Sequence, residues 1–117
     1  MSGRRSYYAG LSAEDQVEQF YNRSGRPVCA RRWRGPGGEI DLIARSGDEV
    51  IFIEVKQART HAWAAERVTR RQMARIYVSA ECFIGQEPLG LNTSVRFDVA
   101  LVDGLGRIEV IENAFAA

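Results

Sequence analysis

The sequence predicts an α/β fold, a mixed sheet flanked by helices, and three features predict it. Apolar residues at helical spacing follow Ser12 and recur from Met73 to Ile84. Between these stripes lie two β-branched runs joined by a tight-turn signal, and a further strand pair closes the chain. The order helix, strands, helix, strands is that of a mixed sheet covered on its faces. With 117 residues the chain is sized for one domain with a single core. We divide it into an arm, 1–10, and a domain, 11–117.

In the arm, Arg4 and Arg5 stand beside Tyr7 and Tyr8. The arm reads either as a loosely packed terminus or as a phosphate-touching segment. Ser12 as N-cap, with Asp15 three residues on, resembles a capping box. Val17, Phe20 and Tyr21 form the buried stripe of the helix that follows, and Gly25 and Pro27 end it. Glu14 sits in its first turn, where a carboxylate complements the helix dipole. Val28–Trp33 alternates as a strand and runs into Arg34-Gly35-Pro36-Gly37-Gly38. The cluster Arg31, Arg32 and Arg34 beside Trp33 has two readings, a phosphate-contacting group or a solvated edge strand with a core Trp.

The stretch Gly38–Lys56 organises the rest. Ile40–Arg45 and Val50–Lys56 flank Ser46-Gly47-Asp48-Glu49, and Gly47 can take the positive φ that a two-residue hairpin turn needs. The register sets Arg45 opposite Val50, Ile43 opposite Phe52, Asp41 opposite Glu54, and Glu39 opposite Lys56. The other face pairs Ala44 with Ile51, Leu42 with Ile53 and Ile40 with Val55, and is expected to be buried. Like charges facing each other across a ladder are destabilising. Two converging hard oxygen donors suit a divalent cation such as Mg²⁺. Lys56 projects from the same face as Glu54 and is the only lysine among 16 basic Lys and Arg residues. A compact ammonium differs from a guanidinium in its readiness to shift pKa, so this position reads as one that needs an amine. The plainer reading is a half-exposed hairpin end with a Glu39–Lys56 surface pair.

After the hairpin, His61 reads as a loop residue with no zinc-ligand spacing. A second long helix is predicted from Thr69, as N-cap, to near Ile84, burying Met73, Ile76, Tyr77, Ala80 and Ile84. Arg67, Arg70, Arg71 and Arg75 crowd its start, where cations oppose the dipole. An anionic partner explains them better than local pairing with Glu66. Ser94–Val102 and Ile108–Asn113 form the last strand pair around Asp103-Gly104-Leu105-Gly106, and Phe115 is expected to dock the tail.

The net charge of +1 excludes a strongly basic nucleic-acid tether but permits a local basic patch. Cys29 and Cys82 match no metal or disulfide pattern and are expected to be buried free thiols of a reducing compartment. No stretch approaches membrane-spanning length and none resembles a signal h-region. A soluble cytoplasmic protein with no membrane partner is expected.

With these residues placed, GEIDLIAR (38–45), FIEVK (52–56), Arg71-Gln72, RFDVALV (96–102) and NAF (113–115) resemble the YraN family of small bacterial proteins. That family is similar to archaeal Holliday-junction resolvases and to PD-(D/E)xK nucleases. The resemblance implies a restriction-endonuclease-like mixed β-sheet flanked by helices. It implies Asp41 and Glu54 as metal-binding acids for Mg²⁺ or Mn²⁺, a backbone carbonyl from Val55, and Lys56 as the catalytic lysine. Glu14 matches a helix-one glutamate of the site, and Gln72 a polar residue at the head of the following helix. Two departures stand out: Ala13-Glu14 where the family has Gly-Glu, and Gln57-Ala58-Arg59 where it tends to have Thr-Arg after the lysine. The implied function is a metal-dependent endonuclease on structured, branched or single-strand-containing DNA, by analogy a homodimer. The rival expectations are a nucleic-acid-binding module of the same fold without turnover, and a structural or protein-interaction domain.

Overall fold

The structure, a computed structural model, describes residues 11–114. The Arg4-Arg5-Tyr7-Tyr8 arm and the Phe115 tail lie outside these residues. The elements are α1 (Ala13–Arg23), β1 (Val28–Gly35), β2 (Gly38–Ser46), β3 (Glu49–Gln57), α2 (His61–Ala65), α3 (Arg70–Ile84), a 3-10 turn (Gly90–Asn92), β4 (Val95–Val102) and β5 (Ile108–Ile111). The five strands form one sheet in the order β1-β2-β3-β4-β5. All neighbours are antiparallel except β3 and β4, which run parallel because α2 and α3 carry the chain back between them. This five-stranded mixed sheet with three helices is consistent with a restriction-endonuclease-like fold.

The caps form as the sequence predicts. Ser12 Oγ accepts from the Asp15 amide at 3.0 Å, and Thr69 Oγ1 accepts from the Gln72 amide at 3.1 Å. Gly47 turns the β2–β3 hairpin with a φ of 60°. The sheet is covered on both faces, so its central strands are apolar on both. On one face α3 packs Ile76, Ala80 and Ile84 onto Ile43, Val50, Phe52, Phe97, Val99 and Leu101. On the other, α1 packs Val17 and Tyr21 onto Leu42, Ala44, Ile51, Ile53, Ala100 and Val102.

Besides the β1–β2 register shift between Val28 and Ala30, the regular alternation fails at one further place. Ile40 and Ile43, three residues apart, share the α3-side core, as do their β1 partners Trp33 and Ala30. Each strand therefore carries one extra residue on the α1 side, and the residues at the break are Arg32 and Asp41. The β2–β3 ladder also stops short of the predicted register. It runs from Ser46↔Glu49 to Leu42↔Ile53, so Asp41/Glu54, Ile40/Val55 and Glu39/Lys56 are not ladder partners. Asp41 fills the gap with its own side chain, Oδ2 accepting from the Val55 amide at 2.8 Å. Glu39 pairs with Arg34 at 3.5 Å, in place of the expected Lys56.

Three other expectations are corrected. Cys29 and Cys82 are free but exposed, since each falls on a solvent-facing position of its element. Tyr77 is 41% exposed; it lies at the margin of the α3 stripe, its ring edge-on to Phe97 with centroids 4.6 Å apart. His61 opens the short helix α2, which Thr60 caps. Its Nε2 lies 2.8 Å from the Arg107 carbonyl, which ties α2 to the β4–β5 loop. No helix among the described residues is long and apolar enough to cross a membrane.

Candidate active site

The site grows from the irregular ends of β2 and β3. Where the ladder stops, a cavity of about 350 Å³ opens, lined by Ser12, Ala13, Glu14, Asp41, Glu54, Val55, Lys56, Gln57 and Gln72. Each element has a local reason to deliver its residue. The Ser12 cap starts α1 so that Glu14 falls in the first turn. The early end of the β2–β3 ladder frees Asp41, and Thr69 starts α3 two residues before Arg71-Gln72. Four side chains singled out from sequence separations of up to 58 residues, Glu14, Asp41, Glu54 and Gln72, thus meet Lys56 at one opening.

Glu54 is the anomalous member. It is 4% exposed. Its Oε2 receives a long hydrogen bond from Gln72 Nε2 at 3.4 Å, and its buried Oε1 has no hydrogen-bond partner among the described residues. Buried carboxylates ordinarily have their oxygens satisfied. Burial pushes the Glu54 carboxyl up to about 8; the Asp41 carboxylate beside it adds to the shift, and Lys56 opposes it. A group poised this way in a cleft is a common mark of a functional site. The donor set fits a hard divalent cation: Asp41 and Glu54 present oxygen ligands, and Glu54 Oε1 accepts no hydrogen bond among the described residues. Among the described residues no group of three or more His, Cys, Asp or Glu side chains converges as a ligand set. An ion held here rests on the two carboxylates and on oxygens from water or backbone.

The arginines divide into two groups. Arg67, Arg70, Arg71 and Arg75 are exposed, and among the described residues none of them takes part in an ion pair. They surround the start of α3, next to Gln72. The β1 group is engaged. Arg31 bonds Asp15 at 2.9 Å and Glu18 at 3.1 Å, Arg32 bonds Glu14 at 3.2 Å, and Arg34 bonds Glu39.

Sequence reasoning passed over two supports. One is the Gly-Pro turn between β1 and β2, which seats directly on α3. Ser79 Oγ accepts from the Gly37 amide at 3.0 Å and donates to the Gly38 carbonyl at 2.8 Å. A Cβ on Gly37 would stand 2.1 Å from the Arg75 carbonyl oxygen, so only glycine permits this approach. The other is the fully buried Asp98 of β4. It accepts from Tyr21 Oη at 2.7 Å, from Arg96 through two bonds of 2.9 Å, and from the Asn113 amide at 3.0 Å. An aspartate inside RFDVALV is the signal that could have found it, because a charge in a central strand needs partners. The network anchors α1, and hence Glu14, to the sheet.

The family model for the uncharacterised protein family UPF0102 matches residues 13–102, which contain every lining residue except Ser12. The chain belongs to the UPF0102 family. This is the YraN family that the motifs resemble. A UPF0102 protein of Cereibacter sphaeroides (strain ATCC 17029) is 67% identical over 117 residues, the whole of both chains. One of Ruegeria pomeroyi is 57% identical over 113 residues, 97% of this chain and 92% of that one. One of Roseobacter denitrificans is 47% identical over 115 residues, 98% and 89% of the respective chains. These UPF0102 relatives carry no named activity, so function has to be argued from the site.

Proposed function

We propose that this UPF0102 protein is a Mg²⁺- or Mn²⁺-dependent endonuclease that hydrolyses phosphodiester bonds in structured or branched DNA. The observation that carries the reading is Glu54, buried beside Asp41 with an unpartnered oxygen, in a cavity that also holds Lys56. As structure alone this arrangement is costly; as an oxygen-donor cation site it is apt. Asp41 and Glu54 would hold the ion, which when bound supplies Lewis-acid stabilisation and an activated water. Lys56 places a positive charge where charge develops on the phosphate oxygens. Glu14, at the cavity rim, accepts a proton or orients a water. The unpaired Arg67, Arg70, Arg71 and Arg75 grip the DNA backbone, and Gln72 links that surface to Glu54.

A second reading, a DNA-binding module without turnover, is favoured by the engagement of Asp41 Oδ2 with the Val55 amide, which spends part of that carboxylate's donor capacity on the backbone. Incubation of a four-way DNA junction with wild type and Glu54→Ala, in Mg²⁺, Mn²⁺ or chelator, separates the two. The endonuclease reading expects metal-dependent cutting by wild type and none by the variant. Binding without cutting by either protein would support the module.

A further inference from the structure

Arg32 has a φ of 47° in the middle of β1. That left-handed conformation is strained for a residue with a Cβ, and such strain clusters at functional sites. No turn requires it here, because Arg31↔Leu42 and Trp33↔Ile40 pair normally on either side. What the kink changes is direction. Successive strand residues point to opposite faces, yet Arg31 reaches Asp15 and Glu18 while Arg32 reaches Glu14, all on α1. The kink turns the second arginine back toward the first turn of that helix. Of the three acids on α1, Glu14 is the one that lines the cavity. The Glu14 hydrogen bond raises the Arg32 guanidinium above its ordinary range, and Glu39 and Asp41 add to it.

We propose that Arg32 is a positioning residue: it holds the Glu14 carboxylate at the cavity shared by Asp41, Glu54 and Lys56, and is thereby withdrawn from the phosphate-contacting set. The inference rests on the reading of that cavity as a hydrolytic site. Without Arg32, the half-buried Glu14 loses the ion pair that fixes its carboxylate.

Arg32→Gly tests it cleanly, since glycine adopts a φ of 47° without strain and the kink survives. In Mn²⁺-dependent cleavage of a four-way junction, kcat is expected to fall on the order of 10- to 100-fold, the scale of a displaced catalytic group. KM and the salt dependence of DNA binding stay at wild-type values. In a Glu14→Gln background the same substitution has no further effect. A raised KM with a salt slope flattened by about 0.9 makes Arg32 a phosphate contact and overturns the inference. Losses that multiply in the double variant overturn it too. Should the wild type cut no substrate, the hydrolytic reading falls by itself, and melting temperatures of Arg32→Gly, Glu14→Gln and the double variant then decide the contact. Non-additive changes keep the Arg32–Glu14 link, and additive changes remove it.

Discussion

Replacing Glu54 by glutamine should stabilise the metal-free protein at neutral and alkaline pH while abolishing its activity. Glu54 is 4% exposed, with one oxygen unpartnered and the other on a 3.4 Å bond. Its carboxyl is raised from 4.5 to about 8, first by burial and then by Asp41. For an acid with a raised folded-state pKa, the unfolded chain releases its proton first. Stability from this group is therefore highest below about pH 4.5 and falls as the pH rises toward 8, by up to about 1.4 kcal/mol per pH unit in that interval. In a domain of this size each kcal/mol moves Tm by roughly 4 °C. Thermal melts in chelator between pH 4.5 and 9 should show wild type losing on the order of 10 °C or more relative to Glu54→Gln. Groups remote from Glu54 are common to both proteins and cancel in that difference. Parallel Tm–pH curves would instead mean that the Glu54 carboxylate is adequately solvated.

Three further outcomes follow from neighbouring features. Arg70→Gln with Arg71→Gln should weaken DNA binding and flatten its log–log salt dependence by up to about 0.9 per lost phosphate contact; an unchanged slope in filter binding would move the DNA surface off α3. Tyr21→Phe removes a 2.7 Å bond to the buried Asp98, and urea unfolding should show a loss of about 1.5–3 kcal/mol; a loss under about 0.5 kcal/mol, the ordinary range of a surface change, would mean that Arg96 and Asn113 satisfy Asp98 alone. Gly37→Ala sets a Cβ 2.1 Å from the Arg75 carbonyl, and the same assay should register at least the ~1–3 kcal/mol of an overpacked contact; wild-type stability would show that the turn is free to lift off α3.

The fold was legible because its determinants are local. Ser12, Thr69 and Gly47 announce the helix starts and the hairpin turn, and the apolar periods of β2, β3, α1 and α3 fix which faces meet the core. The site residues were legible for a different reason: GEIDLIAR and FIEVK carry a family pattern, and the odd lysine drew attention to the charged end. What the sequence could not show is how that end is built. Alternation extrapolated from the turn predicted an Asp41–Glu54 cross-strand pair. The extra residue in each strand at Arg32 and Asp41 instead breaks the ladder and turns Asp41 onto the Val55 amide. Such breaks depend on what two strands do together, and neither run alone reports it. The pairing of Arg31 and Arg32 with α1 was hidden likewise, since it needs the strand and helix docked. The buried Asp98 network reaches back to Tyr21, 77 residues earlier, and no local pattern encodes such a span.

The proposed activity requires that Asp41 and Glu54 form a divalent cation site. Calorimetric titration of Mn²⁺ into wild type and Asp41→Asn tests it without substrate. The substitution keeps the shape and an oxygen that can still accept from the Val55 amide, but removes a charge. Wild type should bind at one site, with an affinity that rises as pH is raised and Glu54 loses its proton, and Asp41→Asn should bind far more weakly. Wild type that takes up no Mn²⁺, or a variant that binds it equally well, would contradict the account.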